Sequence, residues 1–116
     1  MGYEITHVID GQDVAGSGDT QPIMNPATGE QVGTLHLGDA QTVDRAVQVA
    51  LAAQQEWQQT SLAKRTQVLY RMRELVIAAT DEIAEVITRE HGKTLADAKG
   101  EIARGLETLE FATSIT

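Results

Sequence analysis

Apolar residues recur with two different periods along this chain, and the change falls at Asp39. Before it, short apolar runs are cut by turn-forming residues, the pattern of strands and hairpins. After it, apolar residues return at intervals of three and four, the pattern of amphipathic helices. The boundary predicts a β-hairpin region over 1–38 and a helical region over 39–116, an α+β arrangement.

In the first region, Ile5 to Ile9 and Gln12 to Ala15 flank Asp10-Gly11, a pair that supplies the positive backbone angles of a tight hairpin. A second hairpin is predicted around NPATGE, Asn25 to Glu30, between Ile23-Met24 and Val32 to Leu37. Asn25 starts the turn, Pro26 presets its first central position, and Gly29 takes the left-handed conformation that returns the chain.

Four helices follow. The first carries Val43, Ala46, Val47, Ala50, Leu51 and Trp57 on one stripe, interrupted at Gln54, behind the N-cap candidate Asp39. Ser61 caps the second, whose stripe is Val68, Leu69, Met72, Leu75, Val76 and Ala79. Thr80 is the expected cap of the third, with Asp81 and Glu82 in a first turn that favours negative charge, and Gly92 closes it with a left-handed C-cap. Thr94 and Asp97 have capping-box spacing and launch the fourth.

Composition narrows the class. A length of 116 residues allows one domain at most, and 41% apolar with 22% charged residues is ordinary for a globular chain. The net charge of -8 disfavours nucleic acid or an anionic membrane as partner. With no cysteine, the 116 residues hold no disulfide, no thiolate-bound metal and no thiol nucleophile. The start, MGYEITHVIDGQDV, is neither a signal peptide nor a membrane span, so a cytoplasmic location is expected. Met1-Gly2 begins a short myristoylation motif, which wants Ser or Thr at position 6, but acidic Glu4 weakens the match.

Several short motifs have a bland reading that outweighs the chemical one. Gly16-Ser17-Gly18-Asp19 opens a dinucleotide fingerprint, but Gln21 stands at the third glycine and no helix follows. HGKT, His91 to Thr94, resembles the end of a phosphate loop, yet Ile87 replaces its first glycine and a helix precedes it; a C-cap followed by an N-cap explains it better. Lys93 there suits the third helix's dipole, and Glu90 lies near it at ion-pair spacing. His7, His36 and His91 lack ligand spacing, so no metal is expected, and Ser17, Ser61 and Ser114 lack a nucleophile-elbow context.

The fourth helix poses a sharper question. Turned at about 100° per residue, it places Leu95, Ala98, Ile102, Leu106 and Leu109 on one stripe and Arg104 on the far side. A solvated arginine pairing loosely with Glu101 or Glu107 is the plain account. Against it, Phe111 and Gly100 fall on Arg104's side, and two interior glycines, Gly100 and Gly105, each weaken the helix by about 1 kcal/mol relative to alanine. A large aromatic and a side-chain gap around an arginine suggest a helix covered on both faces, the second cover lying outside these residues; exposed Phe111 or exposed leucines are therefore expected.

The order of hairpin, NPATGE, the Asp39 helix ending near Trp57, KRTQVLYRMRELV, ITREHGKT and GEIARGLETLEFA resembles the N-terminal part of an aldehyde dehydrogenase subunit, over nearly the whole chain. GEIARGLETLEFA is most similar to the branch that oxidises methylmalonate and malonate semialdehydes with CoA and NAD. The resemblance implies the N-terminal part of an α/β fold, a single partial domain leading into an NAD-binding domain, and, since Thr116 follows a helical pattern with no stop signal, a partial chain. It also implies a homo-oligomer, NAD and CoA as cofactors of the complete enzyme with neither bound by this segment alone, and a cysteine nucleophile located elsewhere. That cysteine would form a thiohemiacetal, hydride transfer to NAD would leave a thioester, the carboxylate would leave as carbon dioxide, and CoA would take the acyl group.

By the same resemblance, Arg104 binds the carboxylate of the semialdehyde substrate, and no residue of this segment is catalytic. The alternatives are another aldehyde dehydrogenase branch, with Arg104 a structural ion-pair partner, and a noncatalytic interaction or assembly module.

Overall fold

The computed structural model describes residues 2–114, which form five strands followed by four helices, the expected α+β order. The chain divides into two compact units, one reaching to Gln59 and one beginning at Thr60.

The first unit holds strands β1 (Tyr3–Ile5), β2 (His7–Ile9), β3 (Gln12–Val14), β4 (Thr20–Met24) and β5 (Gln31–His36), then helix α1 (Ala40–Trp57). Both predicted hairpins form. Strands β2 and β3 pair antiparallel, His7 opposite Val14 and Ile9 opposite Gln12, through Asp10 at φ 57° and Gly11 at φ 69°. Positive φ at both central positions is what matches a two-residue turn to the twist of its strands.

Strands β4 and β5 pair antiparallel around NPATGE. Asn25 organises that turn: its Oδ1 accepts from the Ala27 amide at 2.9 Å, its carbonyl accepts from the Gly29 amide at 2.8 Å, and its own amide donates to Glu30 O at 2.8 Å. Pro22 sits in β4, which is an edge strand of the order β1-β5-β4, where a missing amide is tolerated.

One strand prediction fails. The run Ile5 to Ile9 is not one strand but two, broken at Thr6, and they belong to different sheets. Strand β1 leaves the hairpin to pair parallel with β5, Tyr3 opposite Gly33 and Ile5 opposite Leu35. Gly33 permits that approach, since a Cβ there would lie 2.8 Å from Tyr3 O and 2.9 Å from its ring. Docking on β5 completes that strand's second edge, which outweighs continuing a short hairpin.

Asp39 caps α1 as predicted, its Oδ1 accepting from both the amide and the hydroxyl of Thr42 at 2.8 Å. The apolar stripe of α1 is left uncovered: Val43, Val47, Leu51 and Trp57 are all exposed, and the helix has no buried residue.

The second unit packs α2 (Leu62–Ala78), α3 (Thr80–His91) and α4 (Leu95–Thr113) against one another. Its core is small. Ala84 of α3 with Ala98 and Ile102 of α4 are buried, ringed by half-buried Val76, Ile83, Ile87 and Leu106. Two alanines at the centre let the α3 and α4 backbones approach closely, as ridge-into-groove packing favours.

Ser61 caps α2 through the Lys64 amide, but the cap assigned to Thr80 is wrong. Ala79 occupies that N-cap without a side-chain bond, and the Thr80 hydroxyl turns back to donate to Ile77 O at 2.9 Å and Val76 O at 3.1 Å. With only Ala79 between α2 and α3, the carbonyls freed at the end of α2 compete for the hydroxyl and take it. Among the described residues, no helix is long and apolar enough to cross a membrane. Helix α4 ends at Thr113 with Ser114 as its cap; the open-ended reading placed on Thr116 lies outside the described residues.

Candidate functional site

The candidate site is built on the far face of α4, and its construction begins one element earlier. Gly92 ends α3 at φ 80°, its amide donating to Thr88 O at 2.9 Å. Two residues later Thr94 starts α4, accepting from the Asp97 amide at 3.2 Å while its hydroxyl donates to Asp97 Oδ2 at 2.8 Å. HGKT is thus a stop followed by a start, as the structural reading of it expects.

Lys93, held between the two caps, reaches along α4. Its Nζ lies 2.5 Å from Glu101 Oε1, and the lysine side chain is only 16% exposed against 49% for the glutamate. This hydrogen bond is the main reason the Glu101 carboxyl is held below its ordinary value; slight burial opposes it, and the charges of Lys93, His91 and Arg104 add to it in that order. Periodicity gave no hint of the pair, because Lys93 precedes the helix that carries its partner. The only local signal was a lysine immediately before an N-cap, read there as a dipole partner of α3.

Arg104 lies one turn beyond Glu101 and is exposed, as the helical projection predicts. Among the described residues its guanidinium has no ion-pair partner within 4.0 Å, so neither Glu101 nor Glu107 forms a contact pair with it. Only its carbonyl is engaged, accepting from Thr108 Oγ1 at 3.3 Å. Gly100, one turn back, is also exposed, and an added Cβ there would meet nothing within 4 Å. Phe111, seven residues on, is 69% exposed. The expectation of an exposed aromatic on this face is therefore met.

The opposite face of α4 differs in kind. An open apolar groove of about 490 Å³ runs beside Met72, Val76, Ile83, Ile102, Leu106 and Leu109. It offers no charge to orient a polar ligand. The Arg104 side, by contrast, presents the planar fork of guanidinium donors.

The remaining candidates resolve into structural parts. The Ser17 amide and hydroxyl both donate to Leu37 O, at 3.0 and 3.3 Å, so the glycine loop is tied to the end of β5 and does not present its amides as a phosphate cradle. His36 Nε2 contacts Glu4 Oε2 at 2.7 Å, whereas His7 Nε2 is buried without a hydrogen-bond partner. Among the described residues, no three His, Cys, Asp or Glu side chains gather where a metal ion could be held.

The model of the Aldehyde dehydrogenase family matches residues 14–116. The chain is 43% identical over 106 residues to a malonate-semialdehyde dehydrogenase of Pseudomonas aeruginosa, covering 91% of this chain and 21% of that protein. Identity to malonate-semialdehyde dehydrogenase 3 of Geobacillus kaustophilus is 38% over 112 residues, covering 96% and 23%. Among solved structures, a Sinorhizobium meliloti protein described as a methylmalonate-semialdehyde dehydrogenase and crystallised with NAD superposes with a TM-score of 0.95 at 46% identity, covering 99% of this chain and 24% of that one. The methylmalonate-semialdehyde dehydrogenase of Oceanimonas doudoroffii gives 0.93 at 40%, covering 97% and 23%. The chain thus spans about a fifth to a quarter of the length of these relatives.

Proposed function

The chain belongs to the aldehyde dehydrogenase family, and from that premise we propose that it is the N-terminal portion of an NAD-dependent, CoA-acylating methylmalonate or malonate semialdehyde dehydrogenase. In the complete enzyme it supplies scaffold and one substrate ligand, Arg104, which binds the carboxylate of the semialdehyde. The observation that carries this reading is the exposed Arg104 guanidinium, left without an ion-pair partner among the described residues on a helix rich in glutamate. Arginine suits the task because its planar fork holds a carboxylate through two parallel hydrogen bonds, which a lysine ammonium cannot do.

The names of the relatives support the substrate class, and the NAD bound to the Sinorhizobium protein supports the cofactor. NAD would serve as hydride acceptor when bound. The residues described here do not fit it: the one glycine loop is spent on Leu37. CoA rests on the branch resemblance alone. With no cysteine among the 116 residues, the covalent step needs a thiolate from outside them, and the segment by itself is expected to be inactive.

The test is a comparison of two substrates in the full-length enzyme. Arg104→Ala should lower kcat/KM for malonate semialdehyde by about 10- to 150-fold, the range expected for losing a hydrogen bond to a charged group worth about 1.5–3 kcal/mol. Propanal, which has no carboxylate, should be far less affected. Equal losses on both substrates would remove the clamp role and return Arg104 to a structural part in another branch of the family.

A further inference from the structure

Arg104 stands in a position where it ought to be neutralised. Glu101 lies three residues before it on the same helix, and an acid preceding a base at this spacing is the favourable orientation for a pair. Glu107, three residues after, has the weaker reversed order. Yet the Glu101 carboxylate is held by Lys93 at 2.5 Å, and among the described residues it forms no ion pair with Arg104 within 4.0 Å.

We propose that Lys93 is a positioning residue for the substrate site: by holding Glu101 it keeps that carboxylate off Arg104 and leaves the guanidinium open to the carboxylate of a semialdehyde. The inference rests on the reading of Arg104 given above and extends it by one residue pair.

Three observations support it independently of substrate. The left-handed Gly92 and the Thr94 cap fix the backbone on both sides of Lys93, so its side chain starts from a determined place. That side chain is 16% exposed, so most of its freedom is already lost and the pair forms with little further ordering. Glu101 also responds to Lys93 more than to Arg104, as the causes of its lowered pKa show.

Without Lys93, the same carboxylate becomes a competitor for the arginine. An exposed glutamate–arginine pair on one helix is weak, so the competition should raise KM modestly and leave the chemical step alone.

The experiment uses the full-length enzyme with malonate semialdehyde and propanal. Lys93→Gln should raise KM for malonate semialdehyde about two- to five-fold at nearly constant kcat, with no comparable rise for propanal. The double variant Lys93→Gln/Glu101→Gln should bring KM back toward the parent value, because the competing charge is gone. A Lys93→Gln enzyme with unchanged KM overturns the inference, and so does a double variant as impaired as the single one, which would mean that the lysine acts through the fold. Arg104→Ala distinguishes the two levels: a selective loss there with an inert Lys93→Gln removes the positioning role alone, whereas an unselective loss removes the substrate site on which it rests.

Discussion

Ile102 and Phe111 lie on the same helix with opposite fates: Ile102 is 8% exposed in the core of the second unit, and Phe111 is 69% exposed on the other side. The two residues are similar in what burial could contribute and differ in what this chain gives them to pack on. In the 116-residue chain, Ile102→Ala should destabilise by about 2–5 kcal/mol, the usual range for emptying a buried isoleucine. Phe111→Ala should change stability by less than about 0.5 kcal/mol. Thermal or urea unfolding of the two variants checks this; a Phe111 effect as large as that of Ile102 would mean that the aromatic is buried by the chain itself.

Arg73 of α2 is bound to Glu110 of α4, its Nη2 at 2.5 Å and Nε at 2.6 Å from the same Oε1. Both groups are well exposed, at 37% and 50% of their side chains, so solvent screens the pair. A double-mutant cycle with Arg73→Ala and Glu110→Ala should yield a coupling of about 0.2–1 kcal/mol that shrinks as salt is raised. A salt-independent coupling would indicate packing of the arginine stem instead of charge.

Asp39 is held below the ordinary aspartate value of 3.8, chiefly by the Thr42 amide and then by the Thr42 hydroxyl. A carboxylate with a lowered native pKa contributes stability that is complete above its unfolded pKa and is lost as pH falls through the native one. Asp39→Ala should therefore lose helical circular dichroism stability relative to the parent at neutral pH, and the deficit should narrow once pH passes below 3.8 toward the native value. A deficit that stays constant through that range would show that the cap works without its charge.

The legible parts of this fold are those whose cause is local. Asp10-Gly11 can turn because both residues accept positive φ, and NPATGE closes because Asn25 bonds within its own turn. Asp39, Ser61 and Thr94 cap with side-chain oxygens that accept from amides one turn on, which spacing alone reveals. What escaped is non-local or competitive. Tyr3 pairs with Gly33 through a parallel ladder that leaves no pattern near either residue. Thr80 had two backbone uses, and only the proximity of the end of α2 decided between them. For the candidate site, periodicity placed Arg104 outward, the resemblance alone gave it a carboxylate, and the Lys93–Glu101 pair crossed a helix boundary that no periodic rule spans.

Gly100 and Gly105 remain the least economical residues of α4. Both are helical and exposed, and an added Cβ at either would meet nothing within 4 Å, so the described residues contain no steric reason for glycine at these positions. Replacing a helical glycine by alanine without a clash removes backbone freedom from the unfolded state. Gly100→Ala and Gly105→Ala should therefore each stabilise the 116-residue chain by about 0.5–1 kcal/mol, measured by thermal unfolding. In the full-length enzyme the expectation reverses if these gaps receive a neighbour: the same substitution should then lower stability, or raise KM where it crowds the approach to Arg104. A stabilising effect in both settings would leave the glycines without a packing role, and at Gly100, the one on Arg104's side, it would weaken the case that the far face of α4 is covered in the complete subunit.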